Sequence, residues 1–500
     1  MIYRKLQAVC GYNPGKSALV CQELKVSYRE LVRKVDRRAE LLLQSGLYSG
    51  ARIGLFLGNS PEYVYFFYAI AKIGAVAVPI DPRSPSPELA RIDSAVSFDA
   101  LIFDQQRAKR VHGFQDYSGF TGCLINCECF QDEPLLEQYP GSSKDTAHAD
   151  FIYFHGASLQ GNHRTAIHTQ KSLFHLCKNF MSAVQVRQDE DFLCANVLGG
   201  PLAIMLMIVP ALLSGSTLHI PEVDKNSPRL LLEYIKATKI KIFTSVPDLF
   251  AAIVREEGDL AQFFTSVRFS CSAGAPVSEE LSNSFFRKTG VRLNNLYGKV
   301  ETGPTHINLF EEPGIPPNSV GKPIHNVSCK LVSTDGSTEL EGENEGELYL
   351  RSNSHARGYL GNIQEEQQVF TADGWVRTGD IARRLRSGHY LITGRRSQFI
   401  IVEGNKVSPA ELKQIVISCP GVDDALVVGL KQKEDDPSAS IVCFVKCHPD
   451  CDLLSVKEYC NSNLVSYKQI NTVVRVPSLS TLAYRNGQLD LETLRHVVVH

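Results

Sequence analysis

Tyr297-Gly298-Lys299-Val300-Glu301-Thr302 sets a glycine beside an aromatic ring and a carboxylate three residues further on. Such a glycine lets a flat ring or a phosphate approach the backbone, and the carboxylate can hold a divalent cation beside phosphate oxygens. The same string also fits a strand end with a surface Glu. Upstream, Cys271-Ser272-Ala273-Gly274-Ala275-Pro276 runs from a strand into small residues, where backbone can pass close over a ring or simply turn tightly. Downstream, Asp373-Gly374-Trp375-Val376-Arg377-Thr378-Gly379-Asp380-Ile381 sets Asp380 at a turn beyond the only Trp. A carboxylate beside a nucleotide accepts from ribose hydroxyls; an Asp at a turn can equally cap a helix. Tyr390-Leu391-Ile392-Thr393-Gly394-Arg395-Arg396 ends in a cationic fork suited to phosphate or ribose, or to solvent.

The elements that must position these residues alternate along most of the chain. Residues 28–44 carry apolar positions at helical spacing (Leu31, Val35, Ala39, Leu42, Leu43), and 52–57 then reads as a buried strand. A helix over 62–73, a strand over 75–80 ending at Asp81-Pro82, and further strands over 100–103, 150–154, 241–244 and 291–296 continue the pattern. Strands separated by helices of this length imply right-handed crossovers and mostly parallel sheets, covered by helices, with ligands beyond the strands' carboxyl ends. After about Pro313 the strands shorten and turns multiply, with strands over 328–332 and 346–350, which predicts a β-rich subdomain. Beyond Arg396 a helix over 409–417 and a few strands suffice for a small α+β unit. The expected fold is therefore α/β: a large N-terminal domain over 1–396 and a small, mobile α+β domain over 397–500.

Composition removes several functions. Fifty-two Lys and Arg against 54 Asp and Glu leave a net charge of −2, so there is no global field for nucleic acid or an anionic membrane. Hydrophobic residues at 43% and charged residues at 21% describe a folded globular chain. The 14 cysteines are scattered, and the first ten residues lack the apolar run of a signal peptide, so reduced thiols in a cytoplasmic protein are expected. Cys123, Cys127 and Cys129, then Cys443, Cys447, His448 and Cys451, are the groups with zinc-ligand chemistry, but both alternate with apolar residues as buried strands do. Residues 192–218 lack charge, but Gly199-Gly200-Pro201, Pro210 and Gly215 divide them into a core helix and a following strand rather than a membrane span.

Order and spacing together are more specific than any single string. Taken with Gly74-Ala75-Val76-Ala77-Val78-Pro79-Ile80-Asp81-Pro82, Gly321-Lys322-Pro323, Gly346-Glu347-Leu348, Gly358-Tyr359 and Gly404-Asn405-Lys406-Val407-Ser408-Pro409-Ala410-Glu411-Leu412, the series resembles the adenylate-forming superfamily. That family comprises acyl-CoA synthetases, adenylation domains of peptide synthetases, and luciferases. The resemblance, from about Ser27 to the C-terminus, implies that Tyr297 and the Gly274-Ala275-Pro276 backbone sandwich adenine, with Gly298 in the same motif and Asn295 bonding the exocyclic amine. It implies Glu301 as the Mg²⁺ contact with Thr302 beside it, Asp380 on the ribose hydroxyls, Arg395 on the ribose-phosphate side, and Gly404 in a hairpin lining a pantetheine tunnel. A carboxylate would attack the α-phosphate of ATP, and the mixed anhydride would pass its acyl group to CoA or a carrier-protein phosphopantetheine.

The departures from that pattern fall on phosphate chemistry. The family's hydroxyl-rich loop aligns with Gly156-Ala157-Ser158-Leu159-Gln160-Gly161-Asn162-His163-Arg164, where Leu159 and Gln160 replace hydroxyl residues and Arg164 stands for Lys. Such loops hold phosphates by N–H and hydroxyl donors, so this one should grip a triphosphate poorly. Val300 replaces a Thr, Ser397 replaces the hinge Asp, and Gln488 occupies the place of the catalytic Lys. A fixed cation there stabilises charge in the transition state, and losing one such group costs about 10²–10³ in rate. Two functions follow: an acid–thiol ligase acting on a fatty or aryl acid rather than an amino acid, its acyl pocket bordered by 202–209 and 245–250; or a degenerate relative that works from a preformed donor, or only binds an acyl group, AMP or a carrier protein. Arg164 or Arg485 would supply the missing charge in the first.

Overall fold

Two large sheets carry the N-terminal part of the chain. In one, seven strands lie in the order Gly358–Tyr359, His163–Thr169, Asp150–Ala157, Val76–Pro79, Arg52–Phe56, Ala100–Phe103, Cys123–Asn126. The last five of these run parallel, and the first two are antiparallel additions. Val76–Pro79 and Ala100–Phe103 are buried along their whole length, as expected of strands covered on both faces. Helix Tyr28–Gln44 begins where the Ser27 hydroxyl accepts from Glu30 N–H and the Glu30 carboxylate accepts from Ser27 N–H, a reciprocal cap. Its Leu31, Val35, Ala39 and Leu42 face the core. The structure, a computed structural model, describes residues 1–84, 86–129, 147–157, 163–222, 228–275, 277–310, 312–333, 335–395, 400–402, 405–407, 409–430, 439–462, 464, 468–479, 482, 484–485, 488–489 and 494.

The second sheet has nine strands, in the order Lys322–Pro323, Gly303–Asn308, Leu293–Lys299, Phe269–Ser272, Ile242–Ser245, Phe192–Cys194, Leu218–Ile220, Ser17–Cys21, Leu24–Ser27. The strand expected over 291–296 in fact runs Leu293–Lys299 and folds back as Gly303–Asn308, so Tyr297 and Gly298 lie within a hairpin rather than after a strand. Gly298 is required by that hairpin itself: a Cβ there would lie 2.2 Å from the Gly303 carbonyl oxygen. The uncharged stretch forms a helix over 201–214 with one π-helical turn, Ile204–Ile208, where Pro210 lacks the N–H for a regular bond. Gly215, at φ 77°, ends it before the strand Leu218–Ile220. No helix among the described residues is long and apolar enough to cross a membrane.

Five antiparallel strands follow, ordered Glu339–Leu340, Val327–Val332, Glu345–Ser352, Val376–Arg384, Tyr390–Arg395. Asp380, expected at a turn, sits inside Val376–Arg384, between Gly379 at φ 70° and a register shift at Ile381/Ala382. From Ile400 onward the sheets are small: Ile400–Val402 with Asn405–Val407, then Val422–Leu430, Ser440–Cys447 and Thr472–Arg475, then Tyr484–Arg485 with Gln488–Leu489. Two apolar cores built only from residues in the range 400–494 hold them. All fourteen cysteines are free thiols, and burial pushes Cys194 and Cys443 up to about 12. Among the described residues no group of three or more His, Cys, Asp or Glu is arranged to hold a metal ion.

Candidate active site

The neighbouring strands Phe269–Ser272 and Leu293–Lys299 are parallel, with Ser272 opposite Asn295. Their carboxyl ends therefore bring Gly274 and Tyr297 level with each other. Gly274 has φ 86°, a conformation that excludes most side chains, and its Cβ direction faces Leu202 and Val246 at 3.8 and 3.9 Å. The Tyr297 hydroxyl donates to Asp380 Oδ2 at 2.6 Å, and Lys299 Nζ lies 3.8 Å from the same oxygen while donating to the Thr378 carbonyl. Asp380 is only 1% exposed. Its N–H donates to Thr378 Oγ1 at 3.0 Å, and that hydroxyl donates to the Leu348 carbonyl at 2.6 Å. A buried carboxylate held by a phenol, a cation and a fixed backbone keeps one geometry.

Asn295 Nδ2 donates to the carbonyls of Asn318 and Ser319 at 3.0 and 3.2 Å, which leaves Oδ1 as its acceptor. His306, opposite Tyr297 in the hairpin, is fully buried; burial lowers it to about 3, so it is neutral. The backbone of Arg395 pairs opposite Asp380, while its side chain lies outside the described residues, as do Pro276 and Gly404. Ala275 follows Gly274 as an exposed residue.

The Glu301 side is wired differently. The Tyr359 hydroxyl donates to Glu301 Oε1. Burial pushes the Glu301 carboxyl up, but Lys299, the Tyr359 hydroxyl and Arg164 together bring it below its ordinary value, so it is ionised at neutral pH. Arg164 donates through Nε to Glu365 Oε1 at 2.6 Å and lies over the Tyr359 ring at 5.4 Å. Thr302 is fully buried; its hydroxyl accepts from Lys299 N–H and donates to the Gly303 carbonyl, so it builds the turn. His168 Nε2 lies 2.7 Å from the Val300 carbonyl and Nδ1 3.2 Å from Ser172 Oγ. Burial lowers His168 to about 4, so the neutral ring donates to Val300. Sequence reasoning missed His168, Tyr359 as a partner of Glu301, and Glu365. Only Gly358-Tyr359 carried a signal, through the motif it belongs to. Residues 158–162 of the phosphate loop, and the side chains of Gln488 and Arg485, lie outside the described residues.

A cavity of about 670 Å³ opens beside Gly274, lined by Leu202, Ala203, Val246, Asn59, Asn196 and Arg83 among others. Residues 202–203 and 246 thus border a pocket as expected, whereas Ile204–Ile208 and Phe250 turn into the apolar cores. The cavity is more polar than the sequence implied. Asp81 and Arg83 both line it, joined by Arg83 Nε to Asp81 Oδ1 at 2.9 Å.

The pattern of the family described as AMP-binding enzyme matches residues 6–360. A long-chain-fatty-acid–CoA ligase of Mycobacterium tuberculosis is 24% identical over 461 residues, covering 90% of this chain and 89% of that ligase. A dimodular nonribosomal peptide synthase of Bacillus subtilis is 24% identical over 497 residues; these span 96% of this chain and 20% of that protein. The crystal structure of ATP-bound MatB from Rhodopseudomonas palustris superposes with a TM-score of 0.86 at 19% identity, covering 99% of both chains.

Proposed function

Since the chain belongs to the AMP-binding enzyme family, we propose that it is an acid–thiol ligase, holding a carboxylic acid as acyl-AMP and passing the acyl group to CoA or a carrier-protein phosphopantetheine. The observation that carries this reading is the bond between Tyr297 and Asp380, with Gly274 level with Tyr297 on the neighbouring strand and facing Leu202 and Val246 of the cavity of about 670 Å³. Tyr297 would face adenine, with its ring fixed through its hydroxyl, and Asp380 would take the ribose. The apolar part of the cavity, Leu202, Ala203, Ile220 and Val246, supports a fatty or aryl acid over a free amino acid.

In the first step a substrate carboxylate oxygen bonds to the α-phosphorus of ATP and the bond to pyrophosphate breaks. In the second a thiolate attacks the acyl carbon and AMP leaves. Glu301 is an ionised oxygen ligand and suits a hard cation that takes its remaining ligands from phosphates and water. Mg²⁺, when bound, would neutralise phosphate charge. Lys299 would hold Asp380 in place, and His168 the Val300 carbonyl, so that the turn bearing Glu301 keeps its form. Arg395 and Gly404 are proposed for the ribose-phosphate side and the pantetheine tunnel.

One observation favours the second reading, a relative impaired in adenylation. Arg164, which stands at the place of the loop's Lys, is already engaged by Glu365 and Tyr359. Acid-dependent pyrophosphate release by the native chain and by Gln488→Lys, across fatty, aryl and amino acids, separates the two. Turnover by the native chain above the no-acid control supports the ligase; silence of the native chain with turnover by Gln488→Lys supports the impaired relative. A division near residue 396, into parts 1–396 and 397–500, is proposed from the separate cores beyond Ile400, and a reducing cytoplasmic setting from the free thiols.

A further inference from the structure

A second cavity, of about 340 Å³, shares no residue with the first and lies at the start of helix Gln170–Val184. Lys171, Arg357, His148, His175, His355 and Asn353 line it, together with the hydroxyl residues Thr169 and Ser172 that cap the helix. Among the described residues no Asp or Glu lines it. Lys171 Nζ has His148 Nε2 at 3.5 Å, a neighbour without negative charge. Arg357 Nη2 donates to Asp150 Oδ2 at 3.1 Å, outside the lining, and keeps further donors on its fork. His355 Nε2 is buried without a hydrogen-bond partner among the described residues. A cavity with two cations and an amide, at the positive end of a 15-residue helix, is arranged for negative charge. Burial first, then Lys171 and Lys178, depress proton binding by His175, which agrees with a cationic surrounding.

We propose that this cavity binds a phosphate-class oxyanion through Lys171 and Arg357, apart from the site around Tyr297 and Asp380. Its volume of about 340 Å³ exceeds that of one phosphate group, so pyrophosphate or a small phosphomonoester fills it better than orthophosphate. The site adjoins the backbone that carries Glu301: Ala356 N–H donates to the Glu301 carbonyl at 2.7 Å, next to His355.

Calorimetric titration of the full chain with inorganic phosphate, pyrophosphate and glycerol 3-phosphate tests it, in the native protein and in Lys171→Ala, Arg357→Ala and Asp380→Ala. Saturable binding is expected, weakened about tenfold or more by each of the first two substitutions, as for loss of a charge-assisted hydrogen bond, and unchanged by Asp380→Ala. Preference for pyrophosphate over glycerol 3-phosphate, or the reverse, names the source. Lys171→Gln, at a partly exposed position, replaces any variant whose melting shows loss of fold. Absence of binding by all three anions, or binding indifferent to Lys171 and Arg357, overturns the proposal.

Discussion

Two sides of the hairpin over residues 293–308 differ in how their polar side chains are held. Tyr297 and Asp380 arrive on long strands, and their bond to each other leaves the tyrosine ring to face a ligand. Arg164, Tyr359, Glu365 and Glu301 instead form a chain of contacts among themselves, while the turn above them is fixed by His168 through a carbonyl. The first arrangement is preorganised for a ligand. In the second, charge is balanced within the protein, so a triphosphate must compete with Glu365 for the arginine. Departures from the family pattern at Val300 and Arg164 both fall on the second side.

The largest way to break this contrast is Asp380→Ala, which strands Lys299 beside a buried gap. Stability should fall by about 3 kcal/mol, as when one member of a buried pair is removed, and AMP binding should be lost; melting and calorimetry check both. Acid acts on both sides. His168 and His306, at about 4 and about 3 in the folded chain, bind protons more readily when unfolded. Both folded values lie below the ordinary 6.5, so stability is highest above about pH 6.5 and is lost as pH falls towards 4, by up to about 3 kcal/mol for each histidine. His168→Gln should flatten the acid side of a plot of Tm against pH; an unchanged slope would remove His168 from the tether.

Gly298→Ala sharpens the contrast on the Tyr297 side. A Cβ 2.2 Å from a backbone oxygen forces the hairpin to shift, at about 1–3 kcal/mol, and AMP affinity should drop with stability. If binding falls while melting is unchanged, the glycine serves ligand approach instead. The smallest effect is expected from Glu365→Gln, which releases Arg164: ATP affinity should rise a few-fold relative to AMP, and stability fall by about 1 kcal/mol.

Much of this was legible in the sequence. Apolar periodicity located helix Tyr28–Gln44 to the residue, because propensity, capping and burial agree there, and the helix expected over 409–417 runs Pro409–Ile417. The hairpin at Lys299 was not legible, because its glycines serve a backbone contact between residues 298 and 303 that no local pattern reports. Asp380 read as a turn residue because Gly379 precedes it; the sheet absorbed that glycine as a distortion within a strand. Tyr297, Glu301 and Asp380 were singled out by type and spacing. Tyr359, Glu365 and His168 lie 58, 201 and 132 residues from Glu301, Arg164 and Val300, which they contact, and long-range pairing of that kind leaves no periodic trace.

The most direct test of the contrast is a pair of titrations of the native chain, one with AMP and one with ATP·Mg²⁺, under the same salt and pH. The two sides as described lead to AMP binding with an affinity equal to that of ATP within about threefold, since the outer phosphates find no free cation on Arg164. ATP binding tenfold or more tighter than AMP, about 1.4 kcal/mol from the β- and γ-phosphates, would contradict it.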